Sequence, residues 1–576
     1  MRFASNSGYN SRRSPVPSTG GAVATSQPLA TQAGVDMLRL GGTAADAAVA
    51  AAAVLQVTQP CSTGIGGDAF CLYFESSSGR VHALNGSGRS PAALDHSRVA
   101  ADGFSDGLPR FHAHTVTVPG AAAAWQDTIA RFGALSLSKV LEPARTLAED
   151  GFPVSPLTSL WWNAGARVQL SQTAFGHELF GAGGRGGDEP GPKPGEVFRN
   201  PGLARVLARI AEHGAREVYE GETAERIVEA VRREGGVLSL SDLRAHGSEW
   251  VRPLSVDYRG VRVWECPPNG QGFAALSALN ILARLDVHEY DDPNATHQLV
   301  ECMRLAFADA ACLIADPDRA GVSRAAYDQI VSELLSEDYA RSRARLVDPV
   351  RAMHSALPGE RAASLLPPEL RGTPSAGDDT VYLAASDRFG NGCSFINSNF
   401  MGFGTGIVPE GCGFSLQNRG YGFSLHEGHP NALEPRKRPY HTIIPGMATT
   451  DSADHAGELY AVFGVMGGMM QPQGHLQVIS RLVDYDLDPQ AALDRPRFQL
   501  DEGQADGRLL VENGDQHRLL QGLSALGHES SSVSGLERYR FGLGQVIRRD
   551  GPVVWAGSDG RGDGLAMGDG TEPPAQ

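Results

Sequence analysis

Between Ala44 and Gln56 the chain reads AADAAVAAAAVLQ, a helical stretch with almost no bulky side chain on any face. Such a helix has neither a large apolar stripe nor a polar face to turn to water, so neighbouring elements must approach it very closely. It is an interior helix, and the rest of the chain has to surround it. At 576 residues the length alone suggests three to five domains, or one unusually large one.

Composition and charge narrow the function classes. The chain has 70 glycines and 35 prolines, the mark of a loop-rich globular protein. Its formal net charge of −16 repels phosphate backbones and anionic lipid, which argues against nucleic-acid and membrane partners. An anionic substrate would need a local cationic pocket. The seven cysteines show no CxxC spacing and an odd total, fitting reduced, buried side chains rather than a disulfide framework or a zinc ribbon. No secretory leader is visible in the first twenty residues, and the apolar run at 44–57 is too short to span a membrane. A cytoplasmic location is expected.

Periodicity predicts a loose lead-in over residues 1–20, helices over 28–40, 44–56, 121–132, 139–149, 203–213, 224–234, 272–285 and 295–315, and strands over 69–75 and 80–84. Residues 181–195 and 355–379 read as Pro/Gly/Ser-rich loops. After Asp379 the pattern changes. Residues 380–386 and 392–398 alternate around a turn at Asp387–Gly390, a hairpin whose first residue is Thr380. Further strands are expected at 459–465 and 545–555, and a helix at 476–484.

A threonine hydroxyl becomes a nucleophile only beside a base, and the α-amine of an N-terminal threonine, with a pKa near neutrality, can be that base. On spacing alone an ordinary buried strand threonine is the favoured reading of Thr380.

The run DDTVYLAASDRFGNGCSFINSNFMGFGTGIV at 378–408, with QNRGYGFSL at 417–425, KRPYHTIIPG at 437–446 and GVMGGMMQPQGH at 464–475, resembles the small subunit of the γ-glutamyltransferases. These are N-terminal-nucleophile hydrolases. TQAGVDMLRLGGTAADAAVAAAAVLQVTQP at 31–60, GIGGDAF at 64–70, VPGAAAAWQ at 118–126 and FADAACLIADP at 307–317 are similar to large-subunit segments in the same order. The resemblance, over about residues 20–570, implies a four-layer αββα sandwich. It is a single domain built from a large subunit, 21–379, and a small subunit, 380–576. Self-cleavage at Asp379–Thr380 frees the base, and Thr380 then carries the acyl group. Ser398 stands where a hydroxyl holds the nucleophile's amine, and Gly467 and Gly468 match a backbone oxyanion hole. No cofactor or metal is implied. The expected partners are a small amide substrate and the two subunits of one precursor, with a homodimer of processed units left open.

The segments that hold the substrate in γ-glutamyl-specific members differ. Phe400 stands in place of an Asn, Gly422 of an acidic residue, Arg419 of a Gln and His441–Thr442 of a Ser pair, while Arg89 is displaced by about two residues. Losing a carboxylate and gaining an arginine turns a zwitterion site into a cationic one. The acyl group is then a γ-glutamyl or an amine-free dicarboxylate, with oxamate amidohydrolase and glutaryl-type cephalosporin acylase as alternatives. The branch of glutathione hydrolase-like proteins shares the same pattern. Each replacement also has a structural reading: Arg419 pairing with a carboxylate, His441 as a satisfied loop residue, Phe400 as filler. An uncleaved, non-catalytic homologue predicts loss of Thr380 or the glycine pair, and both are present. Three weaker motifs are set aside: SxxK at Ser136–Lys139 lacks its partner motifs, His426/His429 lacks a third ligand, and 559–564 lacks the closing Glu of a calcium loop.

Overall fold

Every residue of the Val381–Ser386 and Gly392–Ser398 strands is buried, so this hairpin has to be covered on both faces. The computed structural model describes residues 13–105, 107–184, 189–290, 292–367, 370, 379–450, 457–513 and 517–570. In it the two faces meet different partners. Leu383, Ala385, Cys393 and Phe395 pack with the alanine-rich helix and its neighbours. Tyr382, Ala384 and Ile396 point the other way, onto Met447, Val462 and Ile547 of a second sheet. This is the period-two alternation of a strand, with both faces apolar.

Two seven-stranded sheets result. The first runs Leu565–Gly568, Ala22–Thr25, Val381–Ser386, Gly392–Ser398, Asp68–Glu75, Arg80–Gly86, Glu249–Val251, and the second Val16–Ser18, Val553–Ser558, Gly544–Asp550, Leu459–Val465, Gly446–Thr450, Val261–Glu265, Leu254–Tyr258. All neighbours are antiparallel. The helices Pro28–Arg39, Ala44–Thr58 and Ala121–Phe132 cover the outer face of the first sheet, and Gly272–Leu282, Pro293–Leu313 and Met470–Val483 that of the second. This is the expected αββα sandwich. All 15 residues of Ala44–Thr58 are buried, and the turn residue Asp387 accepts a 2.8 Å hydrogen bond from the Ala44 amide, tying the hairpin to the helix start.

Some expectations change. Part of the supposed lead-in, Val16–Ser18, is a strand paired with Val553–Ser558, whereas residues 1–12 lie outside the described residues. The expected strand at 545–555 is a hairpin of two, split at Gly551 with φ +58°. The helix at 476–484 begins at Met470, because Pro472 falls in the first turn, where a missing amide costs nothing. Parts of the loops at 181–195 and 355–379 lie outside the described residues. Among the described residues no helix is long and apolar enough to cross a membrane.

Candidate active site

Thr380 precedes the Val381–Ser386 strand, and continuing the register of Val381 with Asn397 sets it opposite Ser398. The two hydroxyl oxygens are 3.1 Å apart. Both approach the Asp379 carbonyl oxygen, Thr380 Oγ1 at 2.6 Å and Ser398 Oγ at 3.0 Å. Ser398 Oγ also accepts hydrogen bonds from the Phe400 amide at 2.8 Å and from Arg419 at 3.3 Å. The Asp379 carboxylate is held from the other side by the Gly402 amide at 3.0 Å. The peptide bond expected to break is thus pinned by its carbonyl and by its side chain.

Arg419 is completely buried. One guanidinium nitrogen donates to Thr442 Oγ1 at 2.8 Å, another to Ser398, and the guanidinium carbon lies over the Phe400 ring, 4.2 Å from its centroid. Among the described residues no carboxylate lies within salt-bridge distance of it, and Arg419 Nε has no partner. Burial pulls its pKa down to about 9, with Asp68 opposing at longer range, so the group remains charged at neutral pH. Phe400 is held at φ +83°, a costly conformation for a residue with a side chain.

His441 bonds through Nε2 to Asp68 at 3.0 Å, with both side chains fully buried. Asp68 lies directly across the ladder from Ser398 and also accepts from Gln417 at 2.9 Å and from the amides of Gly88 and Gly120 at 3.0 and 3.1 Å. Burial raises the Asp68 pKa, but the hydrogen bonds from His441 and Gln417 and the Arg419 charge outweigh it and hold the carboxyl below its ordinary range. Burial, reinforced by Arg419, pushes the His441 imidazole down to about 4, so it is a neutral spacer rather than a cation.

Gly467 and Gly468 turn the chain between the Leu459–Val465 strand and the Met470–Val483 helix, with φ of +125° and +56°. The Gly467 carbonyl accepts from the Met470 amide at 2.9 Å, which directs the Gly468 N–H, trans to it, the opposite way. Neither glycine amide has a hydrogen-bond partner among the described residues. The Gly468 carbonyl is fixed by Gln271, whose Nε2 bonds it at 2.9 Å and the Thr442 carbonyl at 2.6 Å.

The structure therefore gathers Thr380, Ser398, Phe400, Arg419 and Thr442 into one cluster, with His441 one step behind through Asp68. Gln271 ties Thr442 to the glycine pair. Arg89 is engaged elsewhere: its guanidinium bonds Asp316 at 3.0 Å, Glu249 at 3.2 Å and the Arg436 carbonyl at 3.3 Å. No hydrogen bond joins it to the Thr380 cluster. Asp68 and Gln271 escaped the sequence reading. The only signal for them was their place inside GIGGDAF at 64–70 and inside the run PPNGQG at 267–272. Of the minor motifs, Ser136 caps the Leu137–Asp150 helix, His429 accepts from the Asn431 amide, and Asp559 is buried between Arg497 and Arg561.

Residues 30–569 match the family model described as gamma-glutamyltranspeptidase. The chain belongs to the gamma-glutamyltranspeptidase family. Within it, this gamma-glutamyltranspeptidase relative is 36% identical over 545 residues to the glutathione hydrolase-like YwrD proenzyme of Bacillus subtilis (strain 168), covering 94% of this chain and 97% of that one. It is 30% identical over 561 residues to the oxamate amidohydrolase proenzyme of Klebsiella pneumoniae, covering 96% and 99%. Among solved structures, the cephalosporin acylase from Bacillus halodurans superposes with a TM-score of 0.87 at 41% identity, covering 99% of each chain.

Proposed function

We propose that this gamma-glutamyltranspeptidase-family chain is a self-cleaving amidohydrolase whose acyl substrate carries a carboxylate and no amine. The observation that carries the reading is the convergence of the Thr380 and Ser398 hydroxyls on the Asp379 carbonyl, with the buried Arg419 charge beside them. The proenzyme relatives support the self-cleaving part.

In the first reaction Thr380 Oγ1 attacks the Asp379 carbonyl carbon. The C–N bond to Thr380 breaks, the hydroxyl proton passes to the departing nitrogen, and an ester joins Asp379 to Thr380 Oγ1. Water splits the ester, leaving chains of 379 and 197 residues and a free α-amine on Thr380. In turnover that amine takes the proton from Oγ1 as the oxygen attacks the substrate amide, then passes it to the leaving amine. The Gly467 and Gly468 amides receive the developing oxyanion. The acyl-Thr380 ester is resolved by water or by an acceptor amine.

Arg419 is the group we assign to the acyl carboxylate. It is charged, has no carboxylate within salt-bridge distance among the described residues and lies one hydrogen bond from Ser398. A substrate α-ammonium would need a carboxylate of its own, and Asp68, across the ladder from Ser398, already accepts four hydrogen bonds. Arg89 we assign to the ion-pair cluster with Asp316 and Glu249. The seven cysteines are buried and form no disulfide among the described residues, which suits a reducing, cytoplasmic compartment.

The second reading is γ-glutamyl hydrolysis, favoured by the name of the Bacillus subtilis relative. Electrophoresis of wild type and Thr380→Ala, with rates on glutaryl-p-nitroanilide, γ-glutamyl-p-nitroanilide and oxamate, separates the readings. Two wild-type bands, one Thr380→Ala band and faster turnover of an amine-free substrate are expected. A fully active, uncut wild-type chain overturns the Thr380 assignment. A preference of about a hundredfold or more for the γ-glutamyl substrate overturns the amine-free one.

A further inference from the structure

On the outer helical layer of the second sheet, three side chains of metal-binding type meet in the interior. His297 and Glu301 are four residues apart on the Pro293–Leu313 helix and so share one face. His528 follows the His517–Ala525 helix. His297 and Glu301 are fully buried and His528 is 7% exposed. One donor atom from each lies within 4.8 Å of the others.

The surrounding bonds orient these donors. His297 Nε2 is 2.7 Å from the Asp348 carbonyl, so it carries the proton and leaves Nδ1 as a lone pair facing His528 Nε2, also at 2.7 Å. A main-chain carbonyl on the far nitrogen is the usual device that fixes the tautomer of a metal-bound histidine. One oxygen of Glu301 accepts from the Met353 amide at 2.9 Å, which fixes the carboxylate plane. Arg304 reaches the other oxygen at 3.2 Å, but it also bonds Asp506 at 2.7 Å and the carbonyls of Ala505 and Met353, so it has partners if that oxygen turns to a cation.

We propose that His297, Glu301 and His528 bind one divalent ion of the zinc class. Two imidazole nitrogens and a carboxylate suit Zn²⁺ or Co²⁺ rather than Ca²⁺ or Mg²⁺, which take oxygen ligands. Zinc–nitrogen bonds of about 2.0–2.1 Å in a tetrahedral array place the two nitrogens about 3.3 Å apart, so the imidazoles separate by roughly half an ångström to admit it. His528 moves its proton from Nε2 to Nδ1, and no net proton is released. A water completes the shell. His297 and Glu301 precede Thr380 and His528 follows it, so the ion also joins the two processed chains. That last consequence alone rests on cleavage at Asp379–Thr380.

The test uses the full processed protein, dialysed against Zn²⁺ and then metal-free buffer, with metal content measured by mass spectrometry. About one zinc per molecule is expected in wild type, and much less in His297→Ala and in His528→Gln. Co²⁺ loading of wild type should give the visible bands of a four-coordinate site, an arm that needs no variant to fold. Zinc should raise the melting temperature of wild type and leave that of His528→Gln unchanged. Wild type that retains no zinc and shows no cobalt bands overturns the proposal, as does equal zinc retention by both variants. Because the site is separate from Thr380, a failure here leaves the amidase assay unaffected. Repeating the measurements on uncut Thr380→Ala distinguishes loss of the ion from loss of cleavage.

Discussion

Ser398 Oγ lies 3.1 Å from Thr380 Oγ1 and 3.0 Å from the Asp379 carbonyl oxygen, so a single serine touches both the proposed nucleophile and the carbonyl proposed to be attacked. Ser398→Ala should slow both conversion of the precursor and turnover of the processed enzyme by roughly 10–100-fold, the size expected for one polarising hydrogen bond. Ser398→Thr, which keeps the hydroxyl, should recover part of each rate. A time course of band conversion beside steady-state rates checks this; unchanged conversion in Ser398→Ala sinks it.

Arg419 sits against Phe400 with no carboxylate at salt-bridge distance among the described residues, Asp68 acting on it only at longer range. Arg419→Gln should lower kcat/KM about 100-fold for a carboxylate-bearing acyl amide relative to a neutral acyl amide. The ratio cancels any effect passed through Ser398. Arg419→Lys should restore little, since an ammonium cannot reproduce the planar fork. Equal losses on both substrates would assign Arg419 to the chemistry rather than to recognition.

Gln271 holds the Gly468 and Thr442 carbonyls with one amide nitrogen and accepts from the Tyr440 hydroxyl at 3.1 Å. Gln271→Leu frees the glycine turn, and kcat should fall roughly 10–100-fold with KM nearly constant, because the proposed oxyanion donors act mainly in the transition state. Gln271→Glu should be worse, since it faces two carbonyl oxygens with no donor. A KM change without a kcat change rules out this positioning role.

The His441–Asp68 pair makes the fold acid-sensitive. His441 titrates near 4 when folded and near its ordinary 6.5 when unfolded, so the unfolded chain binds the extra proton first and stability falls as pH drops from 6.5 toward 4. At about 1.4 kcal/mol per pH unit this one group costs at most about 3.5 kcal/mol over that window. Asp68, held below its ordinary range, acts in the same direction at lower pH. Urea midpoints should decline between pH 7 and 5 in wild type and less steeply in His441→Asn.

The parts of the molecule legible in sequence are those written in local pattern: the alanine helix, the hairpin that begins at Thr380 and the glycine pair. The Leu254–Tyr258 and Val261–Glu265 hairpin was missed because its turn is Arg259–Gly260, with φ of +47° and +92°. Arginine gives no sign of adopting that conformation, unlike the usual Asn-Gly or Asp-Gly. Arg89 drew attention by its neighbours in NGSGR, but its partners Glu249 and Asp316 lie 160 and 227 residues further along the chain. Asp68 and Gln271 are single residues whose roles exist only once distant segments meet.

The outer strands have a kinetic consequence. Ala22–Thr25 lies between Val381–Ser386 and Leu565–Gly568, and Val16–Ser18 pairs with Val553–Ser558, so strands from both sides of the proposed cut are interleaved in each sheet. The intact precursor forms these sheets in a first-order process at a rate independent of dilution. Once cut, two polypeptides must find each other, and recovery from denaturant becomes second order. The fold is assembled while the chain is one, and cleavage should leave an enzyme that endures without readily re-forming.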